Sequence, residues 1–386
     1  MNTQRQITIL TITHVIRAFM ITMPVIVIYW QEHGLSIRDI FVLQVIFSLV
    51  IVVFEVPSGY FADRWGRKLS IILGLVGGAV GFLFFWLYPG FVGFMLGEMA
   101  MGLGASLLSG SKDALLYETL LEDKNESNYS KIQGRQFALG NVSEAIASLT
   151  GAGLAVAVSL EAVFFWQWII FGLGIPLTFF LIEPKVHKET ETPHIMSTLK
   201  EFASGKRYLL YLSLLSGGLS AATLSMVWFT QPYWRSLGID LAHFGYLWAG
   251  LQLCVGLGAI SAYRLEQKLR FRTLFSGLAI TPIILYGALA LTKPVWLIMS
   301  IIPFFWVIRG IAQPIIRDYV NRECRNSNRA TMLSLNALTA RLIFSVSSPF
   351  LGWTVDIWSF QTAFLLSAVI YGAITLGGYI LLRTAH

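Results

Sequence analysis

Gly59-Tyr60-Phe61-Ala62-Asp63-Arg64-Trp65-Gly66-Arg67-Lys68 joins two long apolar runs, one at about 38–62 and the next at about 69–88. Each run has the length, about 20 residues, that an α-helix needs to cross the roughly 30 Å of a bilayer's hydrocarbon. The segment between them holds Asp63, Arg64, Arg67 and Lys68, charges that are costly in hydrocarbon. It therefore reads as a tight turn at a membrane surface, with its bases at the headgroups. Gly66 permits the turn, Gly59 lets two helices approach, and Asp63 can pair with a nearby base or sit against a helix N-terminus.

The rest of the 386 residues extends this pattern. The chain is 55% hydrophobic and only 13% charged, with a mean hydropathy of +0.66. Soluble domains carry roughly 25% charged residues, so a large soluble enzyme is excluded. Apolar runs between turn signals place helices at about 7–30, 38–62, 69–88, 91–118, 131–158 and 162–182, then at about 207–232, 241–263, 272–292, 295–319, 329–354 and 360–383. The expected fold class is an all-α integral membrane protein with twelve transmembrane helices in two pseudo-symmetric six-helix bundles. The bundles occupy 1–182 and 207–386, and a cytoplasmic linker at 183–206 joins them. Within the linker, Ile195, Met196, Leu199 and Phe202 recur at helical spacing beside Lys200 and Lys206, the pattern of a short amphipathic helix on the membrane surface. Cys254 and Cys324 are the only cysteines, so no disulfide framework is implied. The N-terminal stretch lacks the small-residue cleavage site of a signal peptide and is expected to remain as the first membrane helix.

The net charge of +7 would suggest nucleic acid in a soluble protein. Here it is topological. With the N-terminus placed in the cytoplasm, only Arg38, Arg235 and Lys293 of the 28 Lys and Arg fall outside, and Arg17, Arg309 and Arg341 fall within spans. All the others, Lys112 included, lie on the cytoplasmic side, an asymmetry that fixes the topology and puts both termini inside.

The halves echo each other. Tyr29-Trp30-x-x-x-Gly34-Leu35-Ser36-Ile37 after the first span matches Tyr233-Trp234-x-x-x-Gly238-Ile239-Asp240-Leu241 after the seventh, with Ser36 and Asp240 as N-cap residues for the helices that follow. Gly134-Arg135-Gln136-Phe137-Ala138-Leu139 similarly matches Asn328-Arg329-Ala330-Thr331-Met332-Leu333. Parallel repeats of this kind are a common transporter architecture. Together with them, the opening segment resembles the signature of the major facilitator superfamily, G-x-x-x-D-R/K-x-G-R/K-R/K, and Gly59, Asp63, Arg64, Gly66, Arg67 and Lys68 meet every defined position. The resemblance implies alternating access by two rocking bundles, with Asp63 latching the halves on the cytoplasmic side. The corresponding loop of the second half, Tyr263 to Arg272, keeps its basic charge but has Gln267 where the acid would stand. Two family features are missing. The fourth span reads Glu98-x-x-x-Gly102-x-Gly104-Ala105, with glutamate in place of an arginine tied to proton coupling, and Gly140 to Gly153 lacks the proline of the drug antiporters.

Charges inside spans should face a cavity or pair, because each costs about 2.5 to 3.5 kcal/mol at a helix centre. Arg17, Arg309 and Arg341 are the bases; Glu55, Glu98 and Glu144 are the acids, with Asp113 and Glu118 nearer the cytoplasm. On one reading Arg17, Arg309 and Arg341 bind an anionic or zwitterionic solute, with Gln231, Gln252 and Trp228 as further contacts. Glu98 or Glu144 then carries the coupling proton, and His14, one helical turn from Arg17, relays it. On the other reading these charges form closed ion pairs, Glu144 facing Arg341, that only hold helices together.

The expected function is secondary transport of a small organic solute across the bacterial inner membrane, coupled to protons. Export of an amphiphilic anion of drug or siderophore type is favoured; import of a small metabolite and lipid flipping on the same fold are the alternatives. No cofactor, metal or nucleic acid is expected, no P-loop occurs, and the chain is expected to work as a monomer.

Overall fold

The computed structural model describes residues 3–184, 207–323 and 329–385. The linker helix expected around Ile195 to Phe202, with His187 and His194, lies outside them, as does the start of the second echo at Asn328. Among the described residues all regular structure is helical: α1 (Thr3–Ala18), α2 (Ile26–Glu32), α3 (Ile37–Trp65), α4 (Arg67–Leu87), α5 (Phe91–Glu122), α6 (Tyr129–Ala157), α7 (Leu160–Thr178), α8 (Arg207–Ser236), α9 (Phe244–Lys268), α10 (Phe271–Leu291), α11 (Val295–Glu323), α12 (Arg329–Ile357) and α13 (Phe360–Ala385). Nine helices in the described residues are long and apolar enough to cross a membrane. The pair α1–α2, counted as one crossing, and the more polar α6 and α12 bring the crossings to twelve. Contacts divide the chain into two compact units, the first within Met1–Leu35, Leu43–Glu189 and Ile239–Gly250, the second within Ser36–Val42, Thr190–Gly238 and Leu251–His386.

The first echo is realised in local geometry. Gly34 and Gly238 both have positive φ, +85° and +77°, a region where glycine carries no Cβ penalty. Each ends a helix, with Leu35 N–H reaching back to the Trp30 carbonyl and Leu237 N–H to the Tyr233 carbonyl. Ser36 Oγ then accepts from Asp39 N at 3.1 Å and Asp240 Oδ1 from Ala242 N at 2.8 Å, so both expected caps form.

In the first unit α4 lies almost backbone to backbone on α5. A Cβ on Gly77 would meet the Ala100 carbonyl oxygen at 2.8 Å, and one on Gly81 the Gly97 carbonyl oxygen at 2.8 Å. Small residues permit such an approach where lipid offers no hydrophobic drive to association. In the second unit the Tyr371 hydroxyl lies 2.5 Å from Ser225 Oγ and 2.9 Å from Ser347 Oγ, tying α13, α8 and α12 through one buried polar node. The start of α3 belongs to this unit. The Asp356 carboxylate accepts from Ile37 N at 3.0 Å and Arg38 N at 2.9 Å, placing a negative charge on the positive end of α3.

One expectation is corrected. The first span was expected to run unbroken over 7–30, but α1 stops at Ala18 and α2 starts at Ile26. Pro24, in between, has no N–H to continue a helix. The freed groups are met from α7: Gln167 Nε2 donates to the Phe19 carbonyl at 3.2 Å and Gln167 Oε1 accepts from Thr22 N at 3.3 Å. Gly151 of α6 fits against the same segment, where a Cβ would meet the Ile21 carbonyl oxygen at 1.8 Å. Broken backbone at membrane depth is tolerated when protein groups satisfy it in this way.

Candidate functional site

The last turn of α1, just before the break, carries His14 and Arg17. Arg17 is exposed, and the acids acting on its guanidinium are Asp113 of α5 and Glu144 of α6. Lys112, read from sequence as one of the cytoplasmic bases, reaches into the same group: its Nζ lies 3.4 Å from His14 Nδ1 and 3.4 Å from Asp113 Oδ1. The explanation is the length of α5, whose 32 residues exceed one crossing and leave Lys112 well inside the helix. The His14 ring also bonds to the backbone of Gln136 on α6. It sits where a Cβ on Gly140 would come within 2.7 Å of Nε2, so glycine at 140 makes its room. Nδ1 is the ring nitrogen that faces Lys112, and in the tautomer with its proton on Nε2 it accepts from the ammonium. The structure thus gathers Arg17, His14 and Glu144, as expected site residues, and adds Lys112 and Asp113.

Glu98 stands apart from this group. It is 3% exposed, and Gln44 Nε2 of α3 donates to its Oε1 at 3.0 Å. Among the described residues no base pairs with it. In the second unit, Trp228 and Gln231 are buried on one face of α8, while Gln252 on α9, Arg309 on α11 and Arg341 on α12 are half-buried and engaged with neighbours.

At the signature loop, Gly66 has φ +104°, the turn that its lack of a side chain permits. Gly59, read as a close-approach position, has open space around it instead: a Cβ there would meet nothing within 4 Å. Asp63 pairs with Arg67 at 2.6 Å, and Arg67 also reaches Glu118 at 3.4 Å. Arg64 donates to the Tyr60 hydroxyl at 2.9 Å and lies over the Trp65 ring, and Lys68 Nζ donates to the Phe179 carbonyl at 2.7 Å. Sequence reasoning missed Glu183. Its carboxylate accepts from Arg67 N at 2.6 Å and Lys68 N at 2.9 Å, capping α4 from beyond the end of α7. The sequence signal was an acid directly after a span, which by itself names no partner. In the second unit the acid absent at Gln267 is supplied next door, where Glu266 accepts from Arg322 at 2.7 Å.

A multi-pass helical protein with a broken first crossing and ionisable groups held within its spans has the make-up of a membrane transporter. The chain belongs to the major facilitator superfamily, whose family model matches residues 9–339. It is therefore a transporter and not an enzyme. It is 24% identical to the uncharacterized MFS-type transporter YxaM of Bacillus subtilis (strain 168), over 81% of this chain and 80% of that protein. It is 22% identical to the inner membrane transport protein YajR of Escherichia coli (strain K12), over 84% of this chain and 71% of that one. The multidrug resistance protein MdtG of Dickeya zeae (strain Ech586) is 22% identical over 91% of this chain and 87% of its own. A solved structure of a variant of the nucleoside transporter NupG superposes with a TM-score of 0.82, covering 98% of this chain and 100% of that chain, at 14% identity. That likeness establishes the fold alone.

Proposed function

We propose that this transporter exports an amphiphilic organic anion across the bacterial inner membrane by proton-coupled alternating access, with both termini in the cytoplasm. The observation that carries the reading is the pair of separated ionisable sites in the first unit. One is an exposed Arg17 among Lys112, Asp113 and Glu144, suited to an anionic solute. The other is Glu98, sealed from solvent with Gln44 as its hydrogen-bond partner, suited to a proton. A buried carboxyl group whose hydrogen-bond partner is a neutral amide can exchange a proton without breaking an ion pair. Glu144 and His14 are assigned to the same proton route, and Arg309, Arg341, Gln231, Gln252 and Trp228 to the solute. Asp63, with Arg64, Gly66, Arg67, Lys68 and Gly59 around it, is assigned to the conformational latch. Similarity to a multidrug resistance protein supports export, and similarity to an inner membrane transport protein supports the location.

The test is proton movement in proteoliposomes containing the full chain as solutes are added. Aromatic carboxylates that drive proton counterflow in wild type, with the signal lost in Glu98→Gln, support the reading. Transport of solute with no proton signal, or a signal unchanged in Glu98→Gln, sinks the coupling assignment.

A further inference from the structure

Lys112 stands beside Arg17 in the proposed anion site without a role of its own there, and its surroundings in the first unit are specific. Its ammonium is held from two sides, by His14 Nδ1 on α1 and by Asp113 Oδ1 beside it, each at 3.4 Å. Its side chain keeps 18% of its surface accessible and that of Asp113 keeps 40%, so the group is not sealed. Arg17 acts electrostatically on both Lys112 and His14, which places two basic side chains and an imidazole around one spot. A closed structural pair would consume its charges within itself. Here the Lys112–Asp113 contact is long, and Arg17 remains exposed. The ring of His14 is held in place, with Nδ1 toward the Lys112 ammonium and Nε2 against Gly140 on α6. It therefore acts as a strut that sets where the ammonium points. A half-open cavity of about 210 Å³, lined by Thr8, Thr11, Arg135 and Gln136 among others, begins one helical turn from His14.

We infer that Lys112, positioned by His14 beside Arg17, is a binding residue that takes the anionic group of the solute, a carboxylate or a phosphate ester. This deepens the proposed function and rests on the solute being an organic anion. The two cations differ in what they offer. Arg17 presents a planar fork, and Lys112 presents a point charge whose direction the His14 strut fixes. A charge-assisted hydrogen bond of this kind contributes about 1.5 to 3 kcal/mol, which corresponds to roughly tenfold or more in affinity.

The experiment measures the thermal shift of the purified full-length protein on titration with salicylate, with phenyl phosphate, with the neutral analogue salicylamide and with inorganic phosphate. The expected result is stabilisation by salicylate and phenyl phosphate and none by salicylamide. In Lys112→Gln the half-saturating concentration should rise by roughly tenfold or more, while Lys112→Arg should stay close to wild type. Gly140→Ala, which displaces the His14 ring without removing a charge, should weaken anion binding in the same direction. A Lys112 that only pins α1 to α5 would instead lower the melting temperature of the unliganded variant and leave half-saturation unchanged, which overturns the inference. So does inorganic phosphate stabilising as well as phenyl phosphate, because the site would then hold a free anion. Proton movement driven by salicylate in proteoliposomes separates the two proposals. If it persists unaltered in Lys112→Gln, the inference fails and the transport reading stands; if wild type shows none with either organic anion, the transport reading fails.

Discussion

The side-chain amide of Gln44 on α3 donates to Glu98 Oε1 on α5 at 3.0 Å, and both residues are buried. The donor is neutral, so it stabilises the carboxylate without supplying the charge that would hold it ionised. A carboxyl group in such a place can take up a proton without breaking an ion pair. Replacing Glu98 with Gln leaves an amide that Gln44 can still reach, so the fold should persist. Solute-driven proton movement should fall to background in Glu98→Gln while solute exchange across the membrane continues. Proton movement at the wild-type rate would remove Glu98 from the coupling route.

Gln167 meets both groups freed by the break in the first crossing, the Phe19 carbonyl and the Thr22 amide. Leucine at 167 keeps the bulk and loses both bonds, leaving buried backbone groups that cost about 1 to 3 kcal/mol each. Gln167→Leu should therefore melt well below wild type in detergent. Gly151→Ala should do the same for a steric reason, since its Cβ would meet the Ile21 carbonyl oxygen at 1.8 Å and α6 would have to move off the break. Wild-type melting of both variants would show that the break carries no strain on these contacts.

Asp63 pairs with Arg67 at 2.6 Å, but its side chain is 50% exposed. An exposed pair contributes about 0 to 1 kcal/mol, so Asp63→Asn should change the melting temperature little. If Asp63 is the latch, the same variant should change transport rate strongly, and the dissociation of those two readouts is the measurement. Glu183→Ala is the contrasting variant. It uncaps the Arg67 and Lys68 amides at the start of α4 and should cost about 1 kcal/mol of stability.

Asp356 performs for α3 what Glu183 performs for α4, a carboxylate spread over two successive N–H groups of a first helical turn. The attraction to the helix N-terminus is charge-dependent. Asp356→Asn should retain part of the stabilisation through its one carbonyl oxygen, and Asp356→Ala should lose about 1 kcal/mol. A melting temperature of Asp356→Asn equal to that of wild type would show that the charge contributes nothing.

The signature loop, the repeated Tyr-Trp-x-x-x-Gly and the distribution of lysine and arginine were legible because they act locally. A left-handed turn needs glycine at 34, 66 and 238, a helix start needs a cap such as Ser36 or Asp240, and apolar length alone defines a crossing. The small-residue face of α4 obeys the same local rule, since a helix repeats its own geometry and Gly74, Gly77, Gly78 and Gly81 must share a side. Much of the candidate site was visible only as a set of residue types. Charge within a span singled out Arg17, Glu98 and Glu144, because hydrocarbon makes any such residue expensive.

What the sequence by itself determined was the inventory: twelve crossings, their caps and turns, and a short roster of ionisable groups inside them. Tertiary structure decided which of those groups meet. Lys112 looks like a cytoplasmic base until α5 is seen to carry it against His14, 98 residues away in the chain. Gln167 and Glu183 show no sequence mark of the backbone groups they satisfy. The reason is physical. Helix ends and turns follow from neighbouring residues, whereas a hydrogen bond across 98 or 148 positions depends on how whole helices pack. The break in the first crossing needs both levels, Pro24 to stop the helix and Gln167 to make stopping affordable.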